Sequence, residues 1–576
     1  MAEGLAAVKE SLRKAGLAGI EVQERLGAVA LGGAVSRWEQ YIAAGYAAAG
    51  KGYRGVVNEI EVAGLQKARM PAAPRLDAAL EGRYFDAVVI GGGIIGTSIA
   101  RELTRYNITV ALLEKEADVA CHSTGRNNGM VHEGFAPKPG TLKARYNARG
   151  NVLYSRVAEE LGVKLERPGT IVLFTRSWQT LLMPFIHRRA RQNNVPGLRY
   201  LSPREVRALE PHVWEGQKGG FLMPTTAIIS PYKMAVAYIE NAAENGAEVF
   251  LQTAVTGFTV INSRIDKIST NRGELRAGVV INAAGLWADE IARLAGDGFF
   301  TLHGRRGVMA ILDKKTAPLQ RTILGLFQSG SSRTKGGGLL PTVDGNLLIG
   351  PNAEEFPGRE DYHTEPADLD YLLAHHLSLN RRLKREAIIT YFAGVRPCTF
   401  DEDFIIEASP YVNNLIHVAG IQSPGLASAP AIAADVRDMA VRLLERERPV
   451  KPDPHFNPRR RVAPPLQALP LAERARLIRE NPAYGRIVCR CEGVSEGEIV
   501  DSLRAPVPAL TLDAIKRRVR PGMGRCQGGF CTPRVLEIMA REKNLPVTAI
   551  SKSGPGSPLV LGCTGINDKP PQNGTE

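Results

Sequence analysis

Apolar and polar positions change period along the chain, and those changes divide it. Residues 4–14 carry apolar side chains at helical spacing, which predicts a short amphipathic helix. Strand pieces follow at 20–22 and 28–31. The Ala-rich run 36–51 predicts a second helix with Ser36 as its N-cap. From Gly55 to Val62 apolar and charged residues alternate, the mark of a half-buried strand. Residues 1–65 thus read as a small α/β module, and 66–82, with Pro71 and Pro74, as a linker. A large α/β region spans 83–446, where Ser202 and Glu205 form a capping box that opens a helix. The Pro- and Arg-rich stretch after it predicts a second linker, 447–483. A cysteine-rich domain covers 484–545, and a flexible tail rich in Gly, Pro and Ser covers 546–576.

Composition narrows the class. The chain has 576 residues, 44% apolar and 23% charged, which suits globular domains and excludes global disorder. No run of 18 apolar residues occurs, so no spanning helix is expected. The start, MAEGLAAVKESLRK, lacks a secretory pattern, which points to a cytoplasmic location. Seven cysteines is an odd number, and four lie between Cys489 and Cys531, which reads as metal or redox chemistry rather than a disulfide framework. The net charge is +14; from Lys451 onward 20 basic and 12 acidic residues supply +8 of it. No aromatic-interleaved basic stripe or DNA-reading motif accompanies the charge, so a nucleic-acid partner is not expected.

The strongest local signal begins at Tyr84. A buried-strand run, 84–90, leads into Gly91-Gly92-Gly93-Ile94-Ile95-Gly96, a helix over 97–106, and a second strand, 108–113, ending in Glu114. Strand, glycines, helix, strand and terminal acid within one unit form a dinucleotide site. Gly91 permits the tight turn, Gly93 lets backbone approach a pyrophosphate, and Gly96 lets helix and strand pack closely. The helix N-terminus offers free N–H groups to phosphate, and Glu114 accepts from a ribose. Three later segments carry a resemblance: Ser123-Thr124-Gly125-Arg126-Asn127-Asn128-Gly129-Met130-Val131-His132-Glu133-Gly134, Val279 to Asp289 with Gly285, and Val418-Ala419-Gly420-Ile421-Gln422-Ser423-Pro424-Gly425-Leu426 before a last helix, 429–444. Together they resemble the D-amino-acid-oxidase-like (DAO) superfamily. That resemblance implies a Rossmann-like FAD-binding domain interleaved with an antiparallel-sheet substrate domain. It also implies FAD, lined by Ser123, Thr124, Asn128, Gly129, Gly285, Gly420, Ser423, Gly425 and Leu426.

Cys489-Arg490-Cys491, then 34 residues, then Cys526-Gln527-Gly528-Gly529-Phe530-Cys531 gives four thiolates suited to a soft metal, zinc or iron–sulfur. The words IVCRCEGVSEGEI and RPGMGRCQGGFC resemble the bacterioferritin-associated-ferredoxin-like (BFD-like) [2Fe–2S] module, which implies a cluster on Cys489, Cys491, Cys526 and Cys531 in a small helical domain. Gly522, Gly524, Gly528 and Gly529 would turn backbone N–H groups toward the sulfurs, and Lys516, Arg517, Arg518, Arg520 and Arg525 would offset the cluster's charge. Cys121, Cys398 and Cys563 read as structural or incidental.

Alcohol oxidation at a flavin needs a base for the hydroxyl proton and a cation for an anionic substrate end. His132 is the candidate base; Arg396, in Gly394-Val395-Arg396-Pro397, is the candidate cation, with Arg306 and Lys335 further candidates. TGRNNGMVHEGF, DEDFIIE and SPGLASAPAIA resemble L-2-hydroxyglutarate dehydrogenases. The joining of a flavin region to the cysteine domain resembles the catalytic A subunit of anaerobic glycerol-3-phosphate dehydrogenases. These resemblances imply oxidation of a small anionic hydroxylated substrate, sn-glycerol 3-phosphate or a 2-hydroxy acid, with electrons leaving through the cluster to a partner oxidoreductase subunit or a quinone pathway. An amine or amino-acid oxidase, and a non-catalytic electron-transfer subunit, are the alternatives; the four-cysteine pattern argues against an oxidase, which needs no one-electron outlet. The N-terminal words GAVALGGAVSRWEQYIAAGYAAAGKGYRGVVNEIEV resemble a BON domain, which implies docking on a protein partner or on the inner face of a membrane.

Overall fold

The computed structural model describes residues 2–327, 337–461 and 465–562. The chain forms two compact units, Met1–Val462 and Ala463–Glu576. Among the described residues no helix is long and apolar enough to cross a membrane.

The first unit is built on two large sheets. In one, the strands Glu248–Phe250, Val110–Leu113, Arg83–Ile90, Gly273–Asn282 and Leu415–Ala419 run parallel. Continuous apolar runs such as Val110–Leu113, buried at all four positions, suit strands covered on both faces. On its other edge the start of Gly273–Asn282 pairs antiparallel with Arg264–Thr270. The helices Ile94–Leu103 and Gly425–Leu444 follow the strands Arg83–Ile90 and Leu415–Ala419, so their N-termini open where those parallel strands end.

The second sheet is nearly all antiparallel and buries its own core of Ile171, Leu173, Val308, Ala310, Leu339 and Ile349. Its longest pair, His303–Leu312 with Ile388–Cys398, sets Arg305 opposite Arg396 and Arg306 opposite Val395. The capping box is formed: Ser202 N donates to Glu205 Oε2 at 2.8 Å, and Glu205 N donates to Ser202 Oγ. This is the dinucleotide-binding and interleaved substrate-sheet architecture the DAO-like motifs imply.

The N-terminal segment has helices Ala2–Lys14 and Trp38–Ala48 around strands Glu21–Arg25, Ala28–Gly32 and Val56–Asn58. Three expectations change here. Ser36 is not the N-cap: Arg37 takes that place, and the Gln40 side chain reaches back to accept from the N–H groups of Ser36 and Arg37. The run 55–62 is not one half-buried strand. Val56–Asn58 is buried throughout and pairs with Ala28–Gly32, whereas Glu61–Val62 pairs with Ala34–Val35. The segment also shares one compact unit with the flavin region, because Phe400 enters its core beside Tyr41 and Ile42. The stretch 66–82 holds no helix or strand, yet Leu80 is fully buried and Asp77 accepts from Arg272 Nε at 2.9 Å.

The expected linker 447–483 spans the boundary between units. Its first part is fastened to the first unit: Arg101 Nη2 donates to Pro458 O at 2.9 Å, and Arg460 pairs with Glu240 at 2.5 Å. Its second part contains the helix Leu471–Glu480. The second unit is helical, with Glu496–Arg504, Leu512–Val519 and Thr532–Lys543 around Ile499, Leu503, Ile515 and Ile538. The start of the expected tail is ordered: the Leu512 and Asp513 N–H groups donate to Ser551 and Lys552 carbonyls. The rest of that tail, with Cys563, lies outside the described residues.

Candidate active site and metal centre

The glycine turn has the geometry its spacing predicts. Gly91 has φ +111°, and a Cβ there would meet Ala283 O at 2.4 Å. A Cβ on Gly96 would meet Gly91 O at 1.9 Å, so only hydrogen lets helix Ile94–Leu103 sit on its strand. Glu114 ends the second strand; its carboxylate accepts from Gly92 N at 2.6 Å and Glu116 N at 2.9 Å. Burial pushes its pKa up, against the pull of His122 and those N–H groups.

Two adjoining cavities run from this turn. Gly91, Gly93 and Glu114 line one, with Thr253, Val255 and Trp287. Gly93, Ser123, Thr124 and Gly285 line both. The other continues past Asn128, His132, Arg396, Ser423, Gly425 and Leu426. An extended cleft that starts at a glycine turn and passes two helix N-termini fits a dinucleotide. Gly129 and Gly420 line neither cavity. Both have positive φ, and a Cβ would meet Ile229 O at 2.3 Å or Thr399 Cγ2 at 2.5 Å, so they shape the loops around the cleft.

The loop 123–129 is stapled to its surroundings. Thr124 Oγ1 accepts from Ile94 N at 2.9 Å, Asn127 Oδ1 accepts from Gly129 N, and Asn128 Oδ1 accepts from Met130 N. Ser123 Oγ donates to Val395 O at 2.6 Å, tying the loop to the strand that carries Arg396. Arg396 lines the cavity and has no hydrogen bond or ion pair among the described residues. Burial, and Arg305 beside it, pull its pKa below the ordinary value.

Arg306 is not among the lining residues; its neighbour Arg305 is. Successive side chains of a strand point to opposite faces. Arg306 turns to Glu354, 2.9 Å away, and to the Phe356 ring. Arg305 faces the cleft, held by Glu355 at 2.7 Å, Glu402 at 2.5 Å and Tyr46 Oη at 2.7 Å. Gln422 Oε1 also accepts from it, at 3.3 Å. Burial opposes ionisation of Glu402, but Arg305 outweighs it and holds that carboxyl down to about 2. Arg305 is therefore a compensated charge, and Arg396 an uncompensated one. Lys335 lies outside the described residues. Cys398 lines neither cavity; burial pushes its thiol up to about 12.

In the second unit Cys491 Sγ and Cys526 Sγ are 3.6 Å apart. Cys531 donates to Cys489, which holds Cys489 well below a thiol's ordinary value, with the Gly522 and Glu492 N–H groups adding to the effect. The Gly528 and Phe530 N–H groups point at Cys526. Of the four glycines expected to present N–H groups, Gly522 and Gly528 do so. Gly524 serves otherwise: a Cβ there would meet Cys491 Cβ at 2.3 Å. Two sulfur pairs with converging N–H groups fit an all-cysteine cluster. Of the neighbouring cations, Arg520 Nε donates to Glu492 Oε2 at 2.8 Å.

The FAD dependent oxidoreductase family profile matches residues 86–439. The chain belongs to that family. A BFD-like [2Fe–2S] binding domain matches residues 487–541, so this FAD-dependent oxidoreductase also carries an iron–sulfur domain; residues 1–65 lie outside both matches. The chain is similar to a glycerol 3-phosphate dehydrogenase of Caloramator mitchellensis, 40% identical over 480 residues, 83% of this chain and 99% of that one. It is similar, at 27% identity, to the mitochondrial L-2-hydroxyglutarate dehydrogenase of Pongo abelii over 62% of this chain and 87% of that one. The fold matches the L-alpha-glycerophosphate oxidase of Mycoplasma pneumoniae with FAD bound at a TM-score of 0.60 and 25% identity, covering 66% of this chain and 99% of that one.

Proposed function

We propose that this oxidoreductase is a glycerol-3-phosphate dehydrogenase, oxidising the substrate's hydroxyl and passing electrons through its iron–sulfur domain to a partner subunit or quinone-linked acceptor. One observation carries the reading: a guanidinium, Arg396, faces the cavity without a counter-ion among the described residues, while Arg305 beside it is neutralised by Glu355 and Glu402. A half-buried cation with no partner is costly, so the site is built for an anionic ligand. The 40% identity to a glycerol 3-phosphate dehydrogenase over 99% of its length supports phosphate as that anion.

FAD bound in the cleft would supply a hydride acceptor, and the cluster a one-electron outlet. In this reading Arg396 grips the phosphate through two parallel N–H bonds and fixes which carbon faces the flavin. His132, on the same cavity wall, takes the hydroxyl proton through its imidazole. Cys489, Cys491, Cys526 and Cys531 would hold the cluster. The test is anaerobic bleaching of the bound flavin by glycerol 3-phosphate, L-2-hydroxyglutarate, lactate and a panel of amino acids. Bleaching by glycerol 3-phosphate at the lowest concentration is expected. Bleaching by L-2-hydroxyglutarate alone makes it a 2-hydroxy-acid dehydrogenase, and peroxide release with an amino acid makes it an oxidase.

A further inference from the structure

A row of large apolar side chains stands in solvent on a segment the flavin site does not use. The 3-10 turn Ser177–Leu182 runs directly into the helix Met183–Gln192. Gln179, Met183, Ile186 and Ala190 are buried, the last three against Phe174 and Phe221. The opposite row, at helical spacings of three and four, is Trp178, Leu181, Phe185 and Arg188. Trp178 is 48% exposed, Leu181 76% and Phe185 69%. Scattered apolar residues on a surface are ordinary, but three large ones in one row mark an interaction site.

Along the chain, the charge around that row has one sign. Between Glu166 and Glu205 the chain has seven arginines and no Asp or Glu. Arg176, Arg188 and Arg191 are exposed and have no carboxylate partner among the described residues, so guanidinium groups flank the apolar row at both ends. Two surfaces complement this pattern, an acidic protein face and an anionic bilayer. A stable protein interface buries about 1,200–2,000 Å² in total, far more than one short helical row supplies. A bilayer asks only that Trp, Leu and Phe sink to the acyl boundary while arginines reach the phosphates.

We propose that the Ser177–Gln192 segment docks the enzyme peripherally on an anionic lipid surface, with Trp178, Leu181 and Phe185 inserted and Arg176, Arg188 and Arg191 on the headgroups. This lies in the substrate-sheet region, not the N-terminal module, and it does not depend on which substrate is oxidised. The test is sedimentation of the full-length holoenzyme with vesicles of phosphatidylcholine alone or mixed with phosphatidylglycerol. Binding to the mixed vesicles only, weakened by added salt, is expected. Leu181→Ser with Phe185→Ser, and separately Arg188→Glu with Arg191→Glu, should each lower the partition coefficient at least about tenfold, with flavin content and melting temperature unchanged. Brominated lipid should quench fluorescence in the native protein and not in Trp178→Leu. Absence of binding to anionic vesicles, binding that survives both double substitutions, or a solution dimer that Leu181→Ser with Phe185→Ser converts to monomer would each overturn the proposal; the last would assign the face to a second copy of the chain.

Discussion

The hydroxyl of Tyr46 accepts from Arg305 Nη2 at 2.7 Å and donates to Glu402 Oε1 at 2.8 Å. Arg305 and Glu402 line the flavin cavity, whereas Tyr46 belongs to the N-terminal helix Trp38–Ala48. That helix lies so close to Phe400 that a Cβ on Gly45 would meet its ring at 2.2 Å. The N-terminal segment thus supplies one hydrogen-bonding group to the network behind the active site. Tyr46→Phe leaves the buried Arg305 and the half-buried Glu402 each short of one partner, which costs about 1–3 kcal/mol. Calorimetry should show that loss, and kcat/KM for the reducing substrate should fall several-fold with FAD retained. An unchanged melting temperature and unchanged kinetics would separate the segment from the site.

Arg396→Ala should remove the anion's partner while leaving the cofactor in place. Losing a bidentate charged interaction of about 3–4 kcal/mol lowers kcat/KM by about 10²–10³-fold. Arg396→Lys should recover only part, because an ammonium cannot offer the planar fork. Flavin titration reads both effects, and loss of FAD from either variant would make Arg396 structural.

His132→Asn tests the proton acceptor. Removing a general base costs about 10²–10⁴-fold in kcat. A base works only when neutral, so kcat/KM of the native enzyme should rise with pH to a plateau, and the variant should lose that acidic limb. Retention of the limb in the variant would assign proton transfer elsewhere.

The neighbouring arginines show what a one-dimensional pattern carries and what it does not. The glycine turn and its terminal Glu114 act through chain-local geometry, and their spacing alone places them at the cavity, whereas the cysteines come as two local pairs whose sulfur contacts, Cys491 with Cys526 and Cys489 with Cys531, bridge the residues between them. Arg305 and Arg306 are chemically identical in the sequence; on a strand of period two one must face the cleft and the other must not. The deciding fact is that Arg305 stands opposite Arg396, a pairing of residues 91 positions apart. Tyr46 is not legible as a site support for the same reason, since its partner Arg305 lies more than 200 positions away. The helix Leu471–Glu480 was hidden by the prolines before it, and its lack of any buried residue gave no apolar row to read.

Asp297 joins the two parts of the first unit. Its carboxylate, with 0% side-chain exposure, accepts from Arg54 at 2.7 Å and Ser409 at 2.5 Å, and lies 3.0 Å from His417. Burial opposes its ionisation, but His417, Arg54 and Ser409 outweigh it and hold the pKa down to about 2. A carboxyl depressed below its unfolded value of about 3.9 contributes stability above that value and loses it as pH falls through the folded value; the contribution here is about 2 kcal/mol. Unfolding free energy should therefore drop between about pH 4 and pH 2. Asp297→Asn should be less stable at neutral pH and show a shallower acid limb, as measured by denaturant titration across that range.

The cluster site offers a test that leaves the flavin untouched. Cys491 depends on Gly524, because a Cβ at 524 would lie 2.3 Å from the cysteine's own Cβ and force that sulfur away from Cys526. Gly524→Ala should thus mimic Cys491→Ser in kind. Both should lower bound iron and the cluster's visible absorbance, and both should slow reduction of one-electron acceptors. The cleft that would hold the flavin belongs to the other unit, so the flavin should stay bound and still bleach with substrate. A Gly524→Ala protein with full iron content would mean that the Cys489–Arg490–Cys491 turn can shift to admit the methyl group, and that the tight approach is a consequence of packing rather than a condition for assembling the cluster.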